Sequence, residues 1–156
     1  MLELSSRYLC TLDADVDAPL TTGPAGPIGA RSVANIAGGT VEGERLSGAV
    51  LASGADWLVQ RADGVMALDV RALVETHDGA RIYVTYVGYI KAAPEVAARL
   101  FNPQTQASVD PSEYYFRTNP VFETGDARYA WLNSIVAVGV GQLRPGGVKY
   151  TIHEIV

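Results

Sequence analysis

The sequence contains one cysteine, Cys10, among 156 residues, and it has no run of lysine or arginine. A single cysteine cannot form an internal disulfide, which excludes a disulfide-stabilised scaffold. The net charge is −5, from 12 basic and 17 acidic residues. Nucleic acids and anionic membranes both attract clustered positive charge. We therefore predict that neither is a partner of this protein.

Long apolar runs are also missing. None approaches the ~20 residues that a membrane helix needs, and the start, MLELSSRYLC, lacks the basic and then apolar pattern of a secretion signal. We therefore expect a soluble, cytoplasmic protein. The hydrophobic fraction of 48% and the charged fraction of 19% are typical of an ordered globular chain. The length suits one domain, residues 1–156, because domains commonly have roughly 100–150 residues.

Metal and cofactor motifs are scarce as well. The two histidines, His77 and His153, stand at no metal-ligand spacing from each other or from a cysteine. The glycine-rich stretch GPAGPIGA does not lead from a strand into a helix, so it does not predict a phosphate-binding loop. Cys10 lies in an apolar run, where a small buried residue is the more common case than a nucleophile. We expect no metal and no cofactor.

The dominant pattern is an alternation of apolar and polar residues between turns, which predicts strands. About eight to ten strands and one short helix, Ala93–Asn102, predict a mainly β fold: an antiparallel, closed or nearly closed barrel, with a two-sheet sandwich as the alternative. A short irregular or helical turn is expected at Tyr129–Asn133. The predicted strands are Leu2–Leu12, Arg31–Ile36, Thr40–Glu42, Ser47–Ala52, Asp56–Arg61, Met66–Thr76, Arg81–Lys91, Glu113–Phe122, Ile135–Leu143 and Val148–Val156.

The strand Arg81–Lys91 predicts a barrel wall with two partly apolar faces. Ile82, Val84 and Tyr86 share one face, while Tyr83 and Tyr89 lie on the other. One face would contact the core, and the other would contact a lumen, a helix or a neighbouring subunit. A barrel of about eight strands either fills with side chains or holds one small ligand. The alternation favours neither outcome.

Two polar and aromatic patches supply candidate site residues. In SGADWLVQRADG we expect Asp56, Trp57 and Arg61 to line a site, whereas Asp63 precedes a glycine and suits a turn. The segment from 114 to 133 combines aromatic walls with a few polar groups, as ligand pockets do. We predict Asp56 and Glu123 as the catalytic acid or base, and Arg31 or Arg117 as the partner of a substrate carboxylate or enolate. The predicted ligand-binding residues are Arg31, Trp57, Arg61, Tyr86, Tyr115, Phe116, Arg117, Phe122, Trp131 and Asn133.

Several short motifs occur together in a fixed order. They are Gly-x-Asp-Trp at residues 54–57, Arg-x-Asp-Gly at 61–64, Asp-Gly-Ala at 78–80, Arg-Thr-x-Pro-x-Phe-Glu at 117–123 and Tyr-x-Trp-Leu-Asn at 129–133. In this combination the chain resembles the small β-barrel proteins of the domain of unknown function 3237 family, over nearly its whole length. The resemblance implies a lipocalin-like antiparallel barrel. It also places the family's recurring polar residues at Arg31, Asp56, Arg61, Asp63, Glu123 and Asn133.

The chain departs from that family pattern in the Pro/Gly-rich loop after Leu12 and in the segment Pro94–Asp110, which we expect to shape a barrel mouth. Three functions remain open at this point. The first is a cofactor-independent isomerase, cyclase or dehydratase that uses carboxylate chemistry on an apolar or aromatic small molecule. The second is a carrier of such a ligand. The third is a structural barrel with a filled core, whose tyrosine-rich strand forms the interface of a homo-oligomer.

Overall fold

A computed structural model of the chain describes residues 2–156 and shows eight antiparallel strands closed into a barrel. The strands in chain order are β1 (Ser6–Val16), β2 (Leu20–Thr21), β3 (Ala30–Glu42), β4 (Gly48–Asp56), β5 (Val59–Gln60), β6 (Met66–Thr76), β7 (Arg81–Lys91), β8 (Tyr115–Thr118), β9 (Val121–Glu123), β10 (Ala137–Arg144) and β11 (Gly147–Ile155). One helix, α1 (Pro94–Leu100), follows β7, and three short 3-10 helices cover Gln106–Ser108, Pro111–Glu113 and Ala127–Ser134.

The barrel closes through the pairing order β1, β3, β4, β6, β7, β8, β10 and β11, with β11 returning to β1. Short strands β2 and β5 flank β3, and β9 pairs with the beginning of β7. The prediction of a mainly β, antiparallel closed barrel is confirmed. Closure leaves the eight barrel strands without free edges.

The predicted strands Met66–Thr76 and Arg81–Lys91 are found with the same ends, as β6 and β7. Their turn contains Gly79, whose φ of +85° favours glycine. The first strand was predicted at Leu2–Leu12 but lies at Ser6–Val16. The strand continues beyond Leu12 to Val16 because Asp13 and Asp15 point outward, towards Arg144.

Four other predicted strands are joined or divided in the structure. Arg31–Ile36 and Thr40–Glu42 belong to one long strand, β3, which bends through Gly38 and Gly39 at positive φ. The predicted strand Asp56–Arg61 divides between the end of β4 and the short β5. The segment from 113 to 122 is interrupted at Pro120, where a strand cannot donate its ladder hydrogen bond.

One half of the barrel is filled with side chains. The beginning of β1, the end of β3 and the beginning of β7 contribute the buried Leu9, Val41 and Ile82. Leu46, from the loop after β3, and Leu132, from the 3-10 helix Ala127–Ser134, are also buried in this core. We call this half the closed end. Cys10 is buried there, as predicted for a small core residue.

The outer face of β7 is partly apolar, as its alternation predicted. Tyr83, Val87 and Tyr89 are exposed there, while Ile82 and Val84 point into the barrel. A subunit interface on this face stays a prediction, since one copy of the chain is described.

Candidate functional site

The other half of the barrel holds a cavity of about 640 Å³, which we call the lumen. It lies between the ends of β1 and β10 and the beginnings of β3, β6 and β11. Its wall is mostly apolar and includes Ala34, Ile36, Leu68, Val70, Ile90 and Phe116. A volume of this size is typical of small-molecule sites, which commonly occupy roughly 300–1,000 Å³.

Asp56 places a carboxylate on the lumen wall. It is the last residue of β4, paired with Ala34 of β3 and Val70 of β6. The backbone N–H of Asp69 donates to its Oδ1 at 3.0 Å. Among the described residues, no fully shielded side-chain oxygen lacks a partner. Because no protein donor reaches Oδ2, this second oxygen is open to the lumen.

Burial raises the pKa of Asp56 from 3.8 to about 6. The hydrogen bond from the Asp69 backbone opposes this rise, and the negative charge of the Asp69 side chain adds to it. A carboxyl group with a pKa near the working pH exchanges protons in both directions. Asp56 can therefore take a proton from a bound molecule and return it.

Two tyrosines stand near Asp56 on the lumen wall. Tyr86 of β7 and Tyr150 of β11 pack edge to face, with ring centroids 5.3 Å apart, and Phe116 packs against Tyr150 in the same way. Burial raises the pKa of both phenols, and the charge of Asp56 raises both further. Both hydroxyls therefore keep their protons at neutral pH. They are hydrogen-bond donors inside an apolar cavity.

Arg144 lies at the rim of the lumen and is held by acidic partners. Its Nε donates to Asp13 and its Nη2 to Asp15, both at 2.6 Å, while Nη1 donates to the carbonyl oxygen of Pro145 at 3.1 Å. The guanidinium group thus ties the end of β10 to the end of β1. Each of its three nitrogens thus donates to a protein atom.

The mouth of the lumen is shaped by the two segments in which the chain departs from the family pattern. The loop after β1 contributes Pro19 to the lining, and the segment after α1 contributes Phe101 and Gln106. Leu100 of α1 is buried in the core. The hydroxyl of Tyr114 accepts a hydrogen bond from the backbone N–H of β10 at 3.0 Å. The helical segment is therefore packed against the barrel at its mouth.

Of the twelve predicted site residues, the structure places Asp56, Tyr86 and Phe116 on the lumen wall. Glu123, the second predicted catalytic carboxylate, lies outside the lumen. It is exposed on β9, because its neighbour Phe122 points into the core and successive side chains alternate across a strand. Phe122 packs in the core and does not reach the lumen either.

Arg31, Trp57 and Arg61 also lie outside the lumen. Arg31 donates from Nη1 to the carbonyl oxygen of Trp57 at 2.7 Å. The Trp57 ring lies under the guanidinium of Arg71, 5.1 Å from its centroid. Arg61 forms an ion pair with Asp63 in the turn after β5, so Asp63 is the turn residue that its position predicted.

The remaining predicted ligand-binding residues have structural contacts away from the lumen. Arg117 packs over the exposed ring of Tyr115, at 5.2 Å, and donates to the carbonyl oxygen of Phe116. Trp131 lies under Arg45, at 4.2 Å, near the closed end. Asn133 accepts from the Thr124 N–H at 2.8 Å and donates to its carbonyl oxygen at 3.0 Å. Asn133 thereby holds the 3-10 helix of the closed end against the loop after β9.

Tyr150 and Arg144 lie at the lumen although they were not among the predicted site residues. Tyr150 shares its inward face with Val148 and Ile152, both apolar. Alternation along the last strand could therefore have predicted that Tyr150 points into the barrel. No sequence pattern predicts the place of Arg144 at the rim, because that place depends on the pairing of β10 with β11 and of β11 with β1.

Within residues 2–156, no group of three or more histidine, cysteine, aspartate or glutamate side chains is arranged to hold a metal ion. In the same part of the chain, no helix has the length and apolar character that a membrane crossing requires.

Comparison with known proteins places the chain in a family. A protein of Rhodopseudomonas palustris named as a UPF0311 protein is 35% identical over 152 residues, which are 97% of each chain. A crystal structure of a conserved protein of unknown function from Rhodopseudomonas palustris superposes with a TM-score of 0.92 at 33% identity, covering 100% of both chains. A β-barrel like protein from Acinetobacter baumannii gives a TM-score of 0.84 at 32% identity, over 100% of this chain and 98% of its own.

A more distant structure, described as an enzyme from Penicillium herquei, gives a TM-score of 0.71 at 19% identity, over 100% of this chain and 97% of its own. At that identity the likeness concerns the fold alone. The family profile described as protein of unknown function (DUF3237) matches residues 4–155. The chain therefore belongs to the DUF3237 family.

Proposed function

We propose that the lumen binds an apolar or aromatic small molecule and that Asp56 moves a proton on it, as in a cofactor-independent isomerase, cyclase or dehydratase. One observation carries the proposal. A carboxyl group with a pKa of about 6 and one open oxygen stands on the wall of a mostly apolar cavity of about 640 Å³. Strongly perturbed titratable groups in such cavities are candidates for acid–base catalysis.

The chemistry begins with the carboxylate form of Asp56. Its open oxygen takes a proton from a carbon next to a carbonyl group, and the electron pair moves onto the carbonyl oxygen to form an enolate. A tyrosine hydroxyl on the wall stabilises that developing negative charge by donating a hydrogen bond.

Protonated Asp56 then completes the reaction. In an isomerisation it returns the proton to a different carbon of the same molecule. In a dehydration the enolate electrons expel a hydroxyl group, which leaves as water with the proton from Asp56. No external oxidant, reductant or second base is needed for either route, because one carboxyl group takes and returns the proton.

The fold supports the proposal without specifying the reaction. The structure from Penicillium herquei is described as an enzyme and has the same fold. That likeness supports no more than the idea that a barrel of this kind can host catalysis.

Proton exchange into a ketone tests the proposal before a natural substrate is known. The protein is incubated with 2-acetonaphthone in deuterated buffer, and deuterium in the methyl group next to the carbonyl is measured by NMR. We expect wild-type protein to accelerate exchange, Asp56→Asn to lose the acceleration and Glu123→Gln, on the outer face, to keep it. Binding without accelerated exchange would point to a carrier. Absence of binding would point to a barrel without a ligand site.

A further inference from the structure

The charged and polar residues of the lumen also indicate the charge of its ligand. We infer that the ligand is uncharged and presents a carbonyl oxygen to the Tyr86 hydroxyl, and that the cavity rejects the corresponding carboxylate. This inference rests on the proposed function, because it takes the lumen as the binding site. It names a substrate class that neither the fold nor the family supplies.

The charged groups around the lumen favour exclusion of anions. Its lining contains two acidic residues, Asp17 and Asp56, and one basic residue, Arg144. Arg144 is held by Asp13 and Asp15 at 2.6 Å. An anionic ligand would therefore meet the negative charge of Asp56 without a free cation to compensate it. Burying an uncompensated charge is strongly unfavourable.

The two arginines that the sequence favoured for holding a substrate carboxylate are not available for it. Arg31 donates to the carbonyl oxygen of Trp57, and Arg117 donates to that of Phe116. Neither side chain lines the lumen, because each lies next to a residue that points inward: Arg31 beside Ser32, and Arg117 beside Phe116. Neither arginine can therefore make the bidentate contact by which an arginine recognises a carboxylate.

The tyrosine pair supplies the donor for a neutral oxygen. Tyr86 is 9% exposed and Tyr150 is 2% exposed, so Tyr86 is the more accessible of the two. Tyr86 also lines the lumen. Burial raises the pKa of its phenol, so the hydroxyl keeps its proton at neutral pH and can donate it to a ligand oxygen.

Three ligands with one ring system test the inference: the ketone 2-acetonaphthone, the carboxylate 2-naphthoate and the hydrocarbon 2-ethylnaphthalene. Binding to wild type is measured by calorimetry or ligand fluorescence at pH 8. We expect the ketone to bind at least about tenfold more tightly than the carboxylate. Asp56→Asn should reduce that ratio to about threefold or less, because it removes the opposing charge.

Tyr86→Phe tests the contact with the carbonyl oxygen. It should weaken ketone binding by about three- to tenfold, the range expected for one hydrogen bond, and leave the hydrocarbon unchanged. Circular dichroism confirms that each variant is folded. Equal binding of ketone and carboxylate to wild type would overturn the charge selection, and equal weakening of ketone and hydrocarbon by Tyr86→Phe would overturn the oxygen contact. If none of the three ligands binds, the proposed function fails along with this inference.

Discussion

Replacing Asp56 with asparagine should stabilise the protein at neutral and higher pH. Burial raises the pKa of the carboxyl from 3.8 to about 6, so ionising it in the folded protein costs more than in the unfolded chain. At about 1.4 kcal/mol per pKa unit this corresponds to about 3 kcal/mol. The lumen is open to solvent, which screens the charge, so we expect a measured gain of about 1–2 kcal/mol.

The pH dependence identifies the cause of the gain. A carboxyl with a raised pKa makes the folded state bind more protons than the unfolded state between pH 3.8 and about 6. Wild-type stability from this group therefore falls as pH rises through that window, and the cost is fully present above it. Asparagine does not ionise, and its side-chain oxygen still accepts from the Asp69 N–H. The gain should be largest at pH 8 and disappear below about pH 4.

Urea denaturation at pH 8, 6 and 4 measures this dependence. In a separate thermal melt at pH 8, a gain of 1–2 kcal/mol should raise the melting temperature by roughly 2–8 °C for a chain of this size. Glu123→Gln removes an exposed carboxylate and should change the free energy of unfolding by less than about 0.5 kcal/mol at each pH. A gain that is the same at pH 4 and pH 8, or no gain at pH 8, would refute the electrostatic reasoning.

Three other variants or reagents probe separate parts of the molecule. Gly141→Ala would place a Cβ 2.5 Å from the Phe116 ring. We expect it to lower the free energy of unfolding by about 1–3 kcal/mol and to weaken 2-acetonaphthone binding. The control Gly125→Ala, with open space around the new Cβ, should change neither quantity. Asn133→Ala should cost about 1–2 kcal/mol in urea denaturation and leave ketone binding unchanged; weaker binding would restore Asn133 to the site. Burial raises the pKa of Cys10 to about 12, so thiol reagents at pH 8 should modify it only when the chain unfolds; rapid labelling of folded protein would contradict its burial.

The strands were predictable where alternation alone determines them. The strands β6 and β7 have the predicted ends, since their apolar positions repeat every second residue and a glycine turn joins them. The first strand was misplaced because its polar stretch resembled a loop. Its aspartates face outward and meet Arg144, a residue more than a hundred positions away. A pairing of that sequence distance leaves no local signal.

The candidate site was predictable only in part, for a similar reason. Composition drew attention to Asp56 and to the aromatic residues, and Tyr86 and Phe116 do line the lumen. Trp57 and Glu123 were predicted to line the site because they lie close in sequence to other candidate residues. Each directly follows an inward-facing residue and therefore points away from the lumen. Alternation, applied strictly, would have separated Phe122 from Glu123. It could not have shown which half of the barrel is filled.

The division of the barrel into a filled half and a lumen follows from the sizes of the inward-facing residues. Near the mouth, β3 turns Ala30, Ser32 and Ala34 towards the interior, and β1 contributes Ala14. At the closed end the interior positions carry larger side chains such as Leu9. A barrel of eight strands is only wide enough for side chains or one small ligand, so small residues on adjacent strands leave space that the larger ones would occupy. The closed end therefore provides a packed core, and Asp56 stands in a partly apolar environment at the other end.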